Sequence, residues 1–574
     1  MTVKNKVQLI TYPDSLGGNL KSLNIILEKY FPNTFKGGIH ILPPFPSSGD
    51  RGFAPLTYFE IEPKFGTWED IELIGKKHDI LLDLMVNHIS RKSEFFQDFL
   101  KHGQNSKYYD LFLTLDKIWS DGKPVQSDID KMFLRRKIPY STFTIDETGK
   151  EQSVWTTFGK ETPSEQIDFD INSEKVKELL KDFLINFGKH NVKIVRLDAV
   201  GYITKKLGTS CFFVEPEIYE FLDWITEFAS SLGIELLPEV HAHYSTQFKL
   251  AKHGNWIYDF ILPYMILSTL INKSSKEICN YLKIRPHKQF TMLDCHDGIP
   301  VKPDSDDLVD TKEARKVVDT CLERGSNLSL IYSNEHKSSD GFDVHQIRCS
   351  YYSVLNCNDD AYLTARAIQF FAPGIPQVYY VGLLAGKNDE ESVKKTGEGR
   401  EINRHNFSLK DVDEAVKKLS QGALEHVTLY SIMQDPMTSC GCFECICGIE
   451  PFSNGVVIAN REYAGMTPLG MTFSEMASMT GGGVQTPGFM GHGKHFIGSK
   501  KFMKAEGGIE RIVWMPKELK EFVADRLNET AKELYGIENF TDMIGDETVA
   551  TDPEALVEYL TEKGHPALAM DPMM

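Results

Sequence analysis

The stretch VKIVRLDA, from Val192 to Ala199, decides the fold of this chain. It is a run of β-branched and apolar residues that ends in a carboxylate, Asp198, with Arg196 two positions earlier on the same face of an extended strand. Similar runs recur along the first two thirds of the chain, and helical patterns such as Pro216 to Phe228 follow them. Strands that alternate with helices are typical of parallel pairing.

Eight strands are predicted in this way, at Val7 to Tyr12, Gly38 to Leu42, Ile80 to Val86, Val192 to Ala199, Ile234 to His241, Trp256 to Leu262, Phe290 to Asp297 and Ile375 to Val381. Eight strand–helix repeats predict an α/β fold of the (β/α)8 TIM-barrel type rather than an open sheet. Residues 89–170 and 299–357 interrupt the repeat and are too long for connecting loops, so they are predicted to be two inserted subdomains over the barrel mouth.

A change in composition near residue 421 predicts a domain boundary there. Of the 18 methionines, 13 lie beyond residue 421, and four of the ten cysteines crowd into one short segment after it. The predicted order is barrel strands 1–3 in residues 1–88, the first insertion in 89–170, strands 4–7 in 171–298, the second insertion in 299–357, strand 8 with part of a final helix in 358–421, and a separate α+β domain in 422–574.

The charge and the apolar pattern exclude several classes of partner. The formal net charge is -18, which opposes binding to a phosphate backbone, so no nucleic-acid partner is predicted. No apolar run has the length of a signal peptide or a membrane span, so we expect a cytoplasmic protein without a membrane partner. The other six cysteines are scattered singly, as reduced core thiols are. The sequence leaves the oligomeric state open.

Three carboxylates follow predicted strands at the end where barrel enzymes place their active sites: Asp198, Glu239 and Asp297. A retaining glycosyl transfer needs one ionised and one protonated carboxyl group, about 5 to 5.5 Å apart. Arg196 is positioned to keep Asp198 ionised, whereas Glu239 follows apolar residues, lacks an adjacent cation in the sequence and is expected to be protonated more easily. The alternative is structural, because a strand-end aspartate often caps a helix.

Four motifs resemble the signature regions of the α-amylase superfamily: Asp83 to His88, Arg196 to Gly201, Glu239 to His241, and His296-Asp297. Residues 373–382, PGIPQVYYVG, and residues 399–405, GREINRH, resemble the sucrose phosphorylase group, and this resemblance covers about residues 3 to 420. It implies that Asp198 is the nucleophile, Glu239 the acid/base and Asp297 the transition-state stabiliser. It also implies substrate-binding roles for Asp50, Phe53, His88, Arg196, His241, His296 and Arg400.

Two positions predict a phosphorylated substrate. Residues 342–345 read FDVH where plain sucrose phosphorylases resemble one another in Leu-Asp-Leu-Tyr, and the first insertion contains Arg135-Arg136-Lys137. His345 and Arg135 are therefore predicted to hold a phosphate monoester by charge-assisted hydrogen bonds, with a solvated basic loop as the alternative. The resemblance implies glucosyl transfer from sucrose 6'-phosphate, or from sucrose, to inorganic phosphate, without a cofactor.

The tail contains DPMTSCGCFE at residues 435–444 and GGGVQTPGF at residues 481–489. On these motifs the chain from about residue 424 resembles the C-terminal domain of the carbon-monoxide-dependent acetyl-CoA synthase family. Cys440-Gly441-Cys442 offers two thiolates and two backbone nitrogens in a square plane, a geometry that suits Ni(II). The upstream cysteines that this family uses for its iron–sulfur cluster are absent, so acetyl-CoA synthesis is not expected. Two alternatives stay open: reduced thiols in a stranded domain, and a chimera in which neither portion is active.

The resemblance also raises a question of support for the barrel. The outer eighth helix and the small C-terminal β domain of the sugar-active family are missing from the sequence. A substitute helix is predicted within residues 411–434, with Val416, Leu419, Val427 and Leu429 on its apolar face, although Gly422 weakens that prediction.

Overall fold

The computed structural model describes residues 3–331, 337 and 341–421. The strands are β1 (Gln8–Thr11), β2 (Gly38–Ile41), β3 (Ile80–Met85), β4 (His88–Ser90), β5 (Tyr140–Thr144), β6 (Glu151–Trp155), β7 (Gln166–Asp168), β8 (Val192–Asp198), β9 (Glu235–Pro238), β10 (Ile257–Asp259), β11 (Gln289–Thr291), β12 (Ile299–Pro300), β13 (Asn327–Leu330), β14 (Val344–Arg348) and β15 (Ile375–Tyr379). The helices are α1 (Leu20–Tyr30), α2 (Trp68–Gly75), α3 (Glu94–His102), α4 (Gln126–Ile129), α5 (Glu174–Lys189), α6 (Glu217–Ser231), α7 (Tyr244–His253), α8 (Leu262–Asn272), α9 (Lys276–Ile284), α10 (Thr311–Glu323), α11 (Tyr351–Val354), α12 (Asp359–Phe371), α13 (Tyr380–Leu383), α14 (Glu390–Thr396) and α15 (Leu409–Gln421).

Eight parallel strands form the central sheet, in the order β10-β11-β15-β1-β2-β3-β8-β9. The two strands at the ends of this order, β9 and β10, are consecutive in the chain, so the sheet curls into a nearly closed barrel. The predicted (β/α)8 fold is confirmed. The predicted α+β domain after residue 421 lies outside the described residues.

Several strands end earlier than the sequence analysis predicted. β9 stops at Pro238 and β11 at Thr291, so Glu239 and Asp297 lie in the loops that follow rather than on the strands. His88 lies beyond β3 and begins β4, which pairs antiparallel with β7.

The register of β3 and β8 directs polar side chains to the barrel interior. Asp83 lies opposite Arg196, and Met85 opposite Asp198. Since alternate residues of a strand share a face, Arg196 and Asp198 lie on the same face as Ile194. Ile194 belongs to a buried apolar cluster that also contains residues of five other barrel strands, namely Leu81, Leu237, Tyr258, Phe290 and Ile375. The polar residues therefore lie closer to the carboxyl-terminal end of the barrel than this apolar cluster does.

Both stretches predicted as insertions carry secondary structure of their own. Residues 89–170 contain α3 and the antiparallel pair β5–β6, and β7 within them pairs with β4. Residues 299–357 contain α10 and a three-stranded antiparallel sheet in the order β12-β14-β13. The boundaries of these insertions stay predictions.

The last described helix, α15, packs against α1. Val412 is fully buried, and the hydroxyl of Tyr30 donates to Asp413 at 2.5 Å. The helix begins at Leu409, earlier than predicted, and its predicted continuation beyond residue 421 lies outside the described residues. None of the described helices is both long enough and apolar enough to cross a bilayer.

Candidate active site

A pocket lies at the carboxyl-terminal end of the barrel strands and brings together most of the predicted site residues. Those that line it are Asp50, Phe53, His88, Arg135, Asp198, Glu239, His241, His296, Asp297 and Arg400. Two others lie just behind the lining: Arg196 beneath the carboxylates and His345 against Arg135. The predicted metal-binding residues Cys440, Gly441 and Cys442 lie outside the described residues.

Arg196 is the cation that the buried carboxylates share. Its Nη1 donates to Asp83 Oδ1 at 2.6 Å and to Asp198 Oδ1 at 2.7 Å, and its Nη2 lies 3.7 Å from Glu239 Oε1. One guanidinium thus holds Asp198 and Glu239 at the same point of the pocket. Burial raises the pKa of Asp198, and although Arg196 lowers it, Glu239 raises it further, to about 7.

Glu239 is surrounded by donors, contrary to the sequence-based expectation. The backbone N–H of Ala199 donates to Oε2 at 3.1 Å, and His241 Nε2 lies 3.0 Å from Oε1. Burial acts to raise the pKa of Glu239, but His241 and Arg196 outweigh it and lower this pKa to about 2. The expectation that Glu239 lacks an adjacent cation was wrong, because the loop after β9 brings His241 onto its carboxylate and Arg196 lies 3.7 Å away.

Asp297 lies between two arginines that follow the last barrel strand. Its Oδ1 is 3.3 Å from Arg400 Nε and 3.9 Å from Arg404 Nη2, and His296 Nε2 lies 3.6 Å from its other oxygen. Burial acts to raise the pKa of Asp297, but Arg400, His296 and Arg404 hold it well below its usual range. Asp297 is therefore a fixed negative charge, suited to stabilising a cationic transition state.

Asp50 contacts the same two arginines as Asp297. Its carboxylate lies 3.2 Å from Arg400 and 3.5 Å from Arg404. The backbone at Asp50 and Arg51 is left-handed, with φ of 46° and 51°, and Gly52 continues at 111°. Left-handed backbone costs a non-glycine residue on the order of 1 kcal/mol or more, and such strain concentrates at functional sites. Arg51 compensates by donating to Ser15, Asn406 and the Arg404 carbonyl.

Phe53, His88 and His296 form an aromatic wall of the pocket. The rings of Phe53 and His296 stack with centroids 4.8 Å apart and an interplanar angle of 7°. His88 Nε2 lies 3.0 Å from the carbonyl oxygen of Phe53, which fixes the ring of His88. Burial lowers the pKa of His296 to about 3, although Asp297 acts to raise it, so its ring is neutral near pH 7.

Arg135 and His345, 210 residues apart in the chain, meet at the pocket. Arg135 Nη1 lies 3.2 Å from His345 Nε2. Burial, with Arg135 and His241 nearby, lowers the pKa of His345 well below its usual value. The imidazole is therefore neutral and accepts from Arg135, so the charge at this side of the pocket belongs to the arginine and not to the histidine. No carboxylate among the described residues pairs with Arg135.

Two charged residues at the site escaped the sequence analysis. Arg404 contacts both Asp50 and Asp297, and its spacing of four residues from Arg400 was the available signal. Asp304 lies in the second insertion, fully buried, with its Oδ2 at 3.7 Å from His241 Nδ1. Nothing in the local sequence distinguishes Asp304 from Asp306 and Asp307, its exposed or partly exposed neighbours.

Comparison with known proteins separates the chain into two parts. Residues 29–291 match the model of the α-amylase catalytic domain, and residues 386–574 match the C-terminal family of the ACS/CODH beta subunit. A sucrose 6(F)-phosphate phosphorylase of Thermoanaerobacterium thermosaccharolyticum is 70% identical over 418 residues, which are 73% of this chain and 86% of the relative. A crystal structure of sucrose 6F-phosphate phosphorylase from Thermoanaerobacter thermosaccharolyticum is 67% identical, with a TM-score of 0.74 over 76% of this chain and 87% of that one.

The tail has a relative of its own. The carbon monoxide dehydrogenase/acetyl-CoA synthase subunit alpha of Moorella thermoacetica is 54% identical over 165 residues, which are 29% of this chain and only 23% of that relative. The tail thus corresponds to a fragment of its relative, whereas the barrel portion corresponds to most of a phosphorylase. The chain carries an acetyl-CoA-synthase-like C-terminal segment. Its barrel, the pocket that contains the three carboxylates and the relatives of this part show that the chain belongs to the sucrose phosphorylase family of the α-amylase superfamily.

Proposed function

We propose that the chain transfers a glucosyl unit, with retention, from sucrose 6'-phosphate to inorganic phosphate, giving α-glucose 1-phosphate and fructose 6-phosphate. Sucrose, which gives fructose instead, is the alternative donor. The observation that carries this proposal is the meeting of Asp198, Glu239 and Asp297 in one pocket with Arg135, an arginine that no described carboxylate neutralises. The names of the 70% and 67% identical relatives support the same reaction.

In the proposed reaction, each of the three carboxylates has one role. Asp198 attacks the anomeric carbon while Glu239 protonates the departing fructose oxygen, which leaves a covalent β-glucosyl ester on Asp198. Inorganic phosphate then attacks the same carbon from the opposite face, and Glu239 accepts the proton that phosphate carries. Asp297, held by Arg400 and Arg404, stabilises the positive charge that develops on the sugar ring in both steps.

Recognition of the phosphate ester rests on Arg135. Its guanidinium lines the pocket, has a neutral neighbour in His345 and offers further N–H groups to an anion. A phosphate ester next to an arginine gains charge-assisted hydrogen bonds that a neutral fructose cannot make. Arg135 is therefore proposed to favour sucrose 6'-phosphate over sucrose.

The test is a side-by-side assay of the purified full-length chain with sucrose and sucrose 6'-phosphate in phosphate buffer. We expect phosphate-dependent release of α-glucose 1-phosphate, with the higher kcat/KM for the phosphorylated donor. Asp198→Asn is expected to lower kcat by at least about 10³-fold because it removes the nucleophile. Turnover of neither donor by the unsubstituted chain, or full activity of Asp198→Asn, contradicts the proposal.

A second proposal concerns the tail. Its likeness to a metal-dependent family and the tripeptide Cys440-Gly441-Cys442 support binding of one nickel ion. The ion is proposed to take no part in glucosyl transfer. Metal analysis of the purified chain is expected to find about one nickel ion per chain. The Cys440→Ser variant is expected to have lost this nickel, and an equal nickel content in both proteins contradicts the assignment.

A further inference from the structure

Asp304 is a buried carboxylate without an evident structural purpose. It is fully buried, and neither carboxylate oxygen has a hydrogen-bond partner within the described part of the chain. A charged group in such a place is costly unless a partner compensates it. The nearest cationic group is His241, whose Nδ1 lies 3.7 Å from Asp304 Oδ2. The other ring nitrogen of His241 lies 3.0 Å from Glu239 Oε1.

His241 therefore bridges two carboxylates, one in the pocket and one behind it. Its ring stacks on Phe260, with centroids 4.0 Å apart, and its two nitrogens lie within ion-pair distance of Glu239 and Asp304. Burial acts to lower the pKa of His241, but Glu239 and Asp304 together raise it to about 10. Burial raises the pKa of Asp304, and His241 acts to lower it.

The charged and titratable groups around this histidine come from several elements. Glu239 shares its loop, Asp304 follows β12, Asp297 follows β11, and the neutral His345 on β14 has its ring centroid 6.4 Å away. The three carboxylates favour the imidazolium, while the pKa of His345 lies too low for that ring to compete for the proton. The proton of this cluster therefore rests on His241 near neutral pH.

We propose that His241 stores the proton that Glu239 delivers to the leaving group, and that Asp304 is the positioning residue that keeps His241 charged and oriented for this purpose. The inference rests on the proposed phosphorylase function and explains how Glu239, which is surrounded by donors, still acts as an acid. As the glycosidic C–O bond breaks, the alkoxide that develops on fructose is the strong base that draws a proton from the Glu239 carboxyl group, and in the same concerted step His241 Nε2 passes its proton to Glu239. The imidazole is left neutral.

The second half of the cycle restores the proton. Inorganic phosphate enters as HPO₄²⁻, and the dianion of glucose 1-phosphate that leaves has lost this hydrogen. Glu239 takes the proton as the new C–O bond forms on the glucosyl carbon, and His241 receives it from Glu239. Each turnover thus moves one proton from phosphate to the departing fructose unit, and His241 ends as it began.

Asp304→Asn tests the proposal, since it keeps the shape of the side chain and removes its charge. With sucrose 6'-phosphate as donor, we expect the alkaline limb of the kcat/KM profile to move down by about one pH unit, because His241 loses one of the carboxylates that raise its pKa to about 10. The expected fall in kcat/KM is therefore about fivefold at pH 10 and small at pH 8. With α-glucosyl fluoride, whose leaving group needs no protonation, the rate is expected to stay within about twofold of that of the unsubstituted chain.

Asp306→Asn is the matched control, because Asp306 lies on the same loop and pairs with Lys302 at the surface. It is expected to leave both donors and the pH profile unchanged. An equal loss with both donors in Asp304→Asn, or an unmoved alkaline limb, overturns the inference while leaving the proposed function intact. An unsubstituted chain that turns over neither natural donor overturns the proposed function instead.

A measurement on the unsubstituted chain covers the case in which Asp304→Asn fails to fold. Nitrogen chemical shifts of labelled histidine, with the His241 signals assigned by their loss in His241→Gln, report the protonation of both ring nitrogens. We expect the doubly protonated imidazolium at pH 8. A neutral His241 at that pH overturns the inference.

Discussion

At the residue scale, the arginines of the site differ in whether a carboxylate neutralises them. Arg196 and Arg400 are each held by carboxylates, whereas Arg135 contacts a neutral imidazole and no carboxylate of the described residues. An arginine without a carboxylate partner attracts a free anion more strongly than one that is already paired. This difference, rather than the number of cations, is what makes the Arg135 side of the pocket suited to a phosphate.

Arg135→Ala is therefore expected to change donor preference. The kcat/KM for sucrose 6'-phosphate is expected to fall about 10- to 100-fold, because hydrogen bonds to a charged group contribute about 1.5 to 3 kcal/mol. The value for sucrose is expected to fall less. Lys137→Ala, which alters an exposed cation of the same segment, serves as the control. Equal losses for both donors in Arg135→Ala contradict a role in phosphate recognition.

His296 provides a prediction about acid stability. Its pKa of about 3 in the fold lies below the value of about 6.5 in an unfolded chain, so the unfolded state binds more protons between these pH values. The stability that this ring contributes is present above pH 6.5 and is lost as the pH falls towards 3. Between pH 7 and 5 the loss amounts to about 2 kcal/mol.

His296→Gln removes this ionisation. We expect its unfolding midpoint in thermal scans to fall less between pH 7 and pH 5 than that of the unsubstituted chain. Parallel decreases in the two proteins contradict a neutral, buried His296.

At the scale of elements, the second insertion is part of the site and not only a cover over it. Strand β14 carries His345, and the loop after β12 carries Asp304 behind His241. Gly298, next to Asp297, lies directly against this strand: a Cβ added there would be 2.7 Å from the carbonyl oxygen of Ile347. The position of Asp297 therefore depends on close packing between a barrel loop and an inserted strand.

Gly298→Ala is expected to lower kcat/KM by about 10- to 100-fold, because the added methyl group must displace either β14 or the loop that carries Asp297. Gly188→Ala in α5, where the nearest atom to an added Cβ is 3.7 Å away, is the matched control and is expected to leave activity unchanged. Steady-state kinetics of the two variants make the comparison. Full activity in Gly298→Ala shows that the insertion does not set the position of Asp297.

At the scale of the whole molecule, all eight barrel strands and the complete carboxylate pocket lie within the first 421 residues. α15 covers α1 through the buried Val412 and the contact between Tyr30 and Asp413. The two parts of the chain are therefore expected to act independently. Cytoplasmic location and the lack of a nucleic-acid partner stay predictions of the sequence.

Cys440→Ser is expected to remove bound nickel and leave kcat and KM for glucosyl transfer within about twofold of those of the unsubstituted chain, a spread that corresponds to about 0.4 kcal/mol. Metal analysis and the phosphorylase assay on the same preparation check both halves of this prediction. A parallel loss of nickel and glucosyl transfer contradicts the independence of the two parts.

The sequence by itself determined the barrel, its eight strands and the three carboxylates. Apolar strand runs and the polar residues that follow them are local patterns, and they indicate a barrel with its active site at the strand ends. Only the tertiary structure decided which charges neighbour which. The buried Asp304 behind His241 and the contact between Arg135 and His345 arise where separate loops converge, whereas His241 reaches Glu239 within a single loop. A carboxyl group's pKa depends on burial and on charges within a few ångströms, and distance along the chain carries no information about either.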